Sequence, residues 1–176
     1  MVPLETVFLG LVLLFGIIGA LRGWAKELLV SFSVILARFI EYVCLNYVPI
    51  LKESLQTFRV EAPETWFFLR LIIFIILVSF GYATTAISTR LGSRARKEKF
   101  QDTLLGVFLG AINGFLVVGV VWGFLHELGY GIWNITGPAS DVAVGILPYL
   151  PLAWLEGPAL LVGVAIAFAF VLIVFV

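Results

Sequence analysis

The sequence is poor in charge, cysteine and histidine, and each scarcity excludes a class of protein. Charged residues make up 12% of the 176 residues and hydrophobic residues 62%, with a mean hydropathy of +1.14. Soluble domains carry about 25% charged residues, so a water-soluble globule is excluded. Cys44 and His126, the single residues of their kinds, cannot form a disulfide framework or a Cys/His zinc site. The 11 basic and 11 acidic residues balance, so the overall charge implies no nucleic-acid partner. No metal or cofactor is expected, because the sequence has no cluster of metal-ligand residues and no phosphate-binding loop.

Long apolar runs replace the missing charge. They predict membrane-spanning helices over roughly 4–21, 28–48, 65–89, 103–125 and 158–176. These lengths suit helices that cross a hydrocarbon layer of ~30 Å at 1.5 Å per residue. The expected fold is therefore an all-α membrane protein, a bundle of four to five transmembrane helices. Residues 1–125 form a four-helix core and 158–176 a C-terminal transmembrane helix.

Two further features of the chain complete this prediction. Five basic residues lie in the loop 90–102 and two more in the turn 22–27, so the positive-inside rule places both inside and the N-terminus outside. The segment 126–157 is rich in Gly, Pro and aromatic residues, with Pro148 and Pro151 three residues apart. It is expected to lie in the outer membrane interface, with a re-entrant loop as the alternative.

Small residues recur at helical spacing in two of the predicted spans. The fourth span carries Gly106, Gly110 and Gly114, with Asn113 beside them, and the first carries Gly16, Gly19, Ala20 and Gly23. Such stripes let helix backbones approach closely, so the two spans are expected to pack together, within one chain or between copies. A packing seam is the preferred interpretation over an ion or substrate path. Gly119, Gly123 and His126 form a second small-residue face.

The second span contains an intramembrane polar pair. Arg38 and Glu41 lie three residues apart, on one helical face with Ser31, and must face protein or water because charges in lipid are costly. A structural ion pair is one interpretation, and a transport or partner-binding site is the other. No set of residues typical of catalysis accompanies them.

Several short motifs resemble the colicin V production protein family. They are "LRGWAKELL" after the first span, then a basic loop and "FQDTLLGVFLGAINGFLVVGVV". The matching positions, within roughly 1–125, are Arg22, Gly23, Glu27, Asp102, Gly106, Gly110 and Gly114. Thr103 departs from the Arg that often follows the Asp in this family, and the apolar ending 158–176 exceeds a typical member. The resemblance implies a multi-pass protein of the bacterial cytoplasmic (inner) membrane, associated with colicin V export and envelope integrity, with no established enzymatic reaction.

The two inner loops are expected to meet. Asp102, placed at the N-cap of the fourth span, and Glu27 should contact basic groups in a cluster that comprises Arg22, Lys26, Arg96 and Lys99. Two functions follow as hypotheses. The first is a non-enzymatic accessory protein that contacts membrane lipids and acts by helix contacts with membrane-protein partners or its own copies, without a small-molecule substrate. The second is an oligomeric channel or small transporter lined by Ser31, Arg38, Glu41 and Asn113.

Overall fold

A computed structural model of the chain describes residues 3–83, 99–132, 135 and 137–175. Its helices are α1 (Leu4–Arg22), α2 (Trp24–Asn46), α3 (Pro49–Glu61), α4 (Pro63–Ala83), α5 (Lys99–Glu127), α6 (Asp141–Ile146), α7 (Pro151–Trp154) and α8 (Gly157–Phe175). A short 3₁₀ turn, Leu147–Tyr149, joins α6 to α7. Within these ranges there is no strand, which confirms the expected all-α class.

Four helices are long and apolar enough to cross a membrane. They are α1, α2, α4 and α5, and a fifth crossing is possible if α6–α7 and α8, which meet at a bend of 61°, are taken as one broken span. The predicted count of four to five is thereby confirmed, and the protein is a multi-pass membrane protein. The 29 residues of α5 extend ~44 Å, so this helix must tilt or protrude from a ~30 Å hydrocarbon layer. The orientation of the bundle stays a prediction.

Helix boundaries differ from the expected ones in three places. Helix α2 begins at Trp24, four residues before the expected start, so Glu27 lies in its first turn. Helix α3 is an amphipathic helix where only a loop was expected. Helix α5 is already helical at Lys99, four residues before the expected start. The third span is helical as far as Ala83, and residues 84–89 of the expected span lie outside the described part of the chain.

The core forms where α2, α4 and α5 pack together. Val30 and Val34 of α2, Phe74 of α4, and Val120 and Phe124 of α5 are buried in one apolar cluster. Helix α1 lies along α5 on one side, and α8 packs against α2 on the other. Helices α2 and α5 are therefore the central pair of the bundle, and α1, α4 and α8 pack against them.

The segment before α8 folds against the bundle. Pro151 and Leu152 are buried against α5, where a Cβ on Gly119 would meet Pro151 Cδ at 2.5 Å and one on Gly123 would meet Leu152 Cβ at 2.6 Å. Ser140, the N-cap of α6, donates a 2.6 Å hydrogen bond to Glu5 at the start of α1. The second small-residue face thus receives a neighbour that the sequence did not indicate, whereas the location of the segment in the outer membrane interface stays a prediction.

Candidate functional site

Glycines allow α1 and α5 to touch backbone to backbone. A Cβ on Gly19 would lie 2.8 Å from the Gly110 Cα and closer still to the Gly106 carbonyl oxygen. A Cβ on Gly114 would lie 2.7 Å from the Phe15 Cβ. Gly16 is different, because its nearest neighbour would be the Val107 carbonyl oxygen at 3.5 Å, an ordinary contact. Both stripes that the sequence singled out therefore meet, and they meet within one chain.

The chain breaks between α1 and α2 at Gly23. Its backbone, with φ +85° and ψ 155°, lies in a region essentially limited to glycine. A Cβ there would approach the Asp102 carboxylate at 2.9 Å. Asp102 accepts a 3.2 Å hydrogen bond from the Trp24 backbone N–H, the first residue of α2, so a carboxylate from α5 caps α2. The expected role of Asp102 as N-cap of its own helix is wrong, because α5 already begins at Lys99.

Glu27 is fully buried one turn beyond this break. One of its carboxylate oxygens accepts a 2.6 Å hydrogen bond from Arg22, and the other accepts one at 2.8 Å from the Asn113 amide. The same amide nitrogen also donates to the Glu27 carbonyl oxygen at 2.8 Å. A buried carboxylate is costly unless it is paired and hydrogen-bonded, and both conditions are met here.

Two more polar side chains complete this group. The Ser31 hydroxyl donates to the Asn113 Oδ1 at 2.6 Å. Arg22 lies 4.3 Å from the centroid of the Tyr82 ring and donates to the Tyr82 carbonyl oxygen at 3.3 Å. We call Arg22, Glu27, Ser31, Tyr82, Asp102 and Asn113 the turn cluster. It joins α1, α2, α4 and α5 at one end of the bundle.

The second polar group lies at the opposite end of α2. Arg38 pairs with Glu41, and the other oxygen of Glu41 accepts from Arg70 Nε of α4 at 2.5 Å. Arg70 also donates to Glu127 at the end of α5, at 2.5 Å. Arg59 of α3 stands 3.9 Å from the same Glu127. These five residues form the arginine cluster, in which charges of opposite sign alternate.

Aromatic rings cover the buried part of the arginine cluster. The Arg70 guanidinium lies 4.0 Å from the centroid of Phe124 and 5.5 Å from that of Trp66. Arg38 lies 5.9 Å from Phe124. Since Arg38 and Arg70 are 5% and 8% exposed in their side chains, these cation–π contacts act where little water screens them.

An apolar layer separates the two clusters. Ser31 and Arg38 are seven residues apart on α2, which is ~10 Å along the axis. The buried residues between them and opposite them are Val34 and Ala37 of α2 and Leu116 and Val120 of α5. The polar side chains therefore do not form a continuous line through one chain.

His126 belongs to neither cluster. It is exposed at the end of α5 with Nδ1 3.0 Å from the Tyr130 hydroxyl, which also accepts a hydrogen bond from the Trp122 indole at 3.2 Å. Partial burial raises the pKa of the Tyr130 phenol, and the Trp122 hydrogen bond opposes this. This arrangement secures the end of α5 and holds no nucleophile.

The structure places most of the residues that the sequence singled out. Arg22, Glu27 and Asp102 come together, whereas Lys26 is exposed. Arg96 lies outside the described residues, and Lys99 begins α5. Arg38 and Glu41 pair, but Arg70 and Glu127 were not expected to join them. The only hint of this in the sequence was that Arg70 and Glu127 lie near the ends of the third and fourth spans.

Among the described residues, no three His, Cys, Asp or Glu side chains form a group that could hold a metal ion. Cys44 is a free, partly buried thiol.

Comparison with known proteins adds one finding. Residues 4–134 match the family model of the colicin V production protein, which is most of the chain and includes both clusters. No curated protein and no solved structure matches the sequence. The matched region ends before α6, so α8 lies beyond it.

Proposed function

The chain belongs to the colicin V production protein family, and from that premise we propose that it is a non-enzymatic accessory protein of the bacterial inner membrane. It acts by helix–helix contacts with partner membrane proteins, in colicin V production or in maintenance of the cell envelope. The membrane character rests on the four spanning helices. The accessory role and the partners are the proposed part.

One observation carries the proposal, namely that the intramembrane charges are paired with each other. Glu27 is bound by Arg22 and Asn113, and Glu41 by Arg38 and Arg70. Groups held in such pairs are poor nucleophiles and bases. The apolar layer between the clusters is also evidence against an ion path through one chain, because such a path needs a continuous lining of polar groups or water.

Helix α8 offers the surface for a partner. It packs against α2 through Gly163 and Phe170, where the Phe170 ring lies 5.4 Å from that of Phe32. One face of the helix is exposed and apolar, and its uncovered residues include Leu161, Val162, Ile166, Phe168, Leu172 and Ile173. In a membrane this surface can face lipid or another helix without an energetic penalty from polar groups.

The test is cross-linking in native membranes. A photoreactive amino acid replaces Ile166 on the open face of α8, and the matched control carries it at Leu13 on α1, which is similarly exposed. We expect position 166 to capture one defined membrane protein in stoichiometric yield, and position 13 to capture none. Purification in a mild detergent should return the same protein.

Liposome flux decides between this proposal and the oligomeric channel. The purified full chain is expected to leave ion flux at background. A pure homo-oligomer that conducts ions, with conduction abolished by Glu41→Ala, would refute the accessory function and establish a channel.

A further inference from the structure

Two adjoining cavities lie at the end of the bundle that holds the arginine cluster. The first has a volume of about 260 Å³ and carries the charged side chains of Arg38, Glu41, Arg59, Arg70, Glu127 and Glu156. The second, of about 230 Å³, is an apolar groove between α2 and α4 that is lined by Ala37, Cys44, Leu69, Ile73 and Phe74. Glu41, Trp66 and Arg70 line both, so the two cavities are immediate neighbours. Their combined volume falls within the ~300–1,000 Å³ typical of ligand sites.

The charged cavity has hydrogen-bonding capacity that the protein does not use. Arg38 Nε and Trp66 Nε1 are buried donors without a partner among the described residues, although buried donors are normally satisfied. The Arg59 side chain is 59% exposed, and its guanidinium nitrogen lies as far as 3.9 Å from the Glu127 carboxylate oxygen, so this ion pair is weak. Together these groups offer N–H donors and a positive charge to an anionic oxygen.

The cavity is nevertheless neutral as a whole. Three arginines line it with three glutamates, of which Glu156 is exposed. Glu41 and Glu127 are already paired with arginines, whereas Glu156 forms no ion pair among the described residues. An anion alone would leave the Glu156 charge without a partner, and a zwitterion would supply one. Of the two aromatic residues that line the cavity, Trp66 already contacts the Arg70 guanidinium and Tyr42 packs edge to face with Tyr47, so the set of aromatic faces that a quaternary ammonium prefers is not assembled there. A primary ammonium instead donates up to three hydrogen bonds to carboxylates.

From this arrangement we propose that the paired cavities bind one phospholipid with a phosphoethanolamine headgroup. Its phosphate lies against Arg59, and small rotations of the Arg38 and Trp66 side chains bring their unpartnered N–H groups, which are buried in the unbound chain, to the same phosphate. Its ammonium lies against Glu156, and one acyl chain occupies the groove beside Cys44 and Ile73. Helix α3, which contributes Leu55, Gln56 and Arg59 to the charged cavity, covers the headgroup.

The headgroup is tested by lipid titration of the purified full chain, followed by native mass spectrometry. Phosphatidylethanolamine, phosphatidylcholine and phosphatidylglycerol with identical acyl chains are compared. We expect the first to bind about tenfold more tightly than either of the others, the difference expected for charge-assisted hydrogen bonds at a partly exposed site. Equal binding of the three lipids overturns the proposal.

Matched variants locate the headgroup within the site. Arg59→Gln and Glu156→Gln remove one charge each without touching the buried ion pairs, and each should weaken phosphatidylethanolamine binding about fivefold. Lys52→Gln and Glu53→Gln remove the same charges from exposed positions of α3 outside the cavities, and binding should stay within about twofold of the unsubstituted protein. Trp66→Phe, which removes one donor and keeps an aromatic ring, should also weaken binding. Equal losses in the test and control variants would contradict the assignment.

The acyl chain is tested through Cys44, which is the single cysteine of the chain and lines the groove. Phosphatidylethanolamine should slow alkylation of Cys44 by N-ethylmaleimide several-fold. Water-soluble glycerophosphoethanolamine, which has the headgroup without acyl chains, should not. Protection by the headgroup compound alone, or no protection by the lipid, overturns the placement of the acyl chain.

Discussion

Replacing Gly19 with alanine tests the backbone contact between α1 and α5. The added Cβ would lie 2.8 Å from the Gly110 Cα, whereas non-bonded carbon atoms rest about 3.5–4.0 Å apart. The helices must therefore separate by close to 1 Å. Gly16→Ala is the matched control, because the same substitution one turn earlier meets only an ordinary contact at 3.5 Å.

The loss of stability can be estimated from the van der Waals contacts between α1 and α5. If roughly 30 atom pairs contribute about 0.15 kcal/mol each, the contact is worth ~4.5 kcal/mol, and a gap of ~1 Å removes a quarter to a half of it. Loss of a Cα–H···O contact adds about 0.5–1 kcal/mol. Gly19→Ala should therefore cost about 2–3 kcal/mol before the helix-propensity gain of ~1 kcal/mol that both variants share.

The measurement is reversible unfolding in mixed micelles with increasing SDS, followed by tryptophan fluorescence and helicity. The free energy of unfolding should be about 2 kcal/mol lower for Gly19→Ala than for Gly16→Ala, a difference of ~30-fold in the folding equilibrium. Equal stability of the two variants would refute the close backbone approach, whatever the stability of the unsubstituted protein.

Three further predictions can be tested with the same unfolding measurement. Asn113→Leu removes the amide that binds Glu27 and should cost about 1–3 kcal/mol, because the buried carboxylate loses a donor; an unchanged free energy would show that the network is unimportant. Asp102→Ala should cost about 1 kcal/mol through loss of the cap on α2, whereas Asp102→Asn should retain most of it, so equal effects of the two would contradict capping. Arg70→Leu should cost about 1–3 kcal/mol because it removes two charge-assisted hydrogen bonds, to Glu41 and to Glu127, although Arg38 and Arg59 still stand beside these glutamates, while exposed Arg59→Gln should change stability by less than about 1 kcal/mol. A larger loss of stability for Arg59→Gln than for Arg70→Leu would show that Arg70 is not the main stabilising residue of the arginine cluster.

Several features of the fold and the site are readable locally. Gly19, Gly106 and Gly110 are visible as small residues at helical spacing, and close packing needs only that spacing and a partner with the same pattern. Gly23 follows an apolar run that would be too long for the membrane if the helix continued. The charged residues beside it mark the turn. The turn at Gly23 could therefore be predicted, because a few neighbouring residues determine where the helix must break.

Other features depend on distant parts of the chain. Arg70 and Glu41 are separated by 29 positions, and Arg70 and Glu127 by 57, so their pairing requires the relative shift and rotation of three helices. Asp102 caps a helix that begins 78 positions earlier, although local capping rules assign it to its own helix. Helix α3 was missed because its apolar residues are too few to form a span, and its amphipathic pattern alone did not distinguish it from a loop.

The sequence by itself determined the class of protein, the number of spans and the family, because each follows from the hydrophobicity of single runs of about 20 residues or from short motifs. The tertiary structure alone decided which charges neutralise one another, that an apolar layer divides them, and that a charged cavity adjoins an apolar groove. The physical reason is that a buried charge is stabilised only by groups within a few ångströms. Helix packing, and not position in the chain, decides which groups those are.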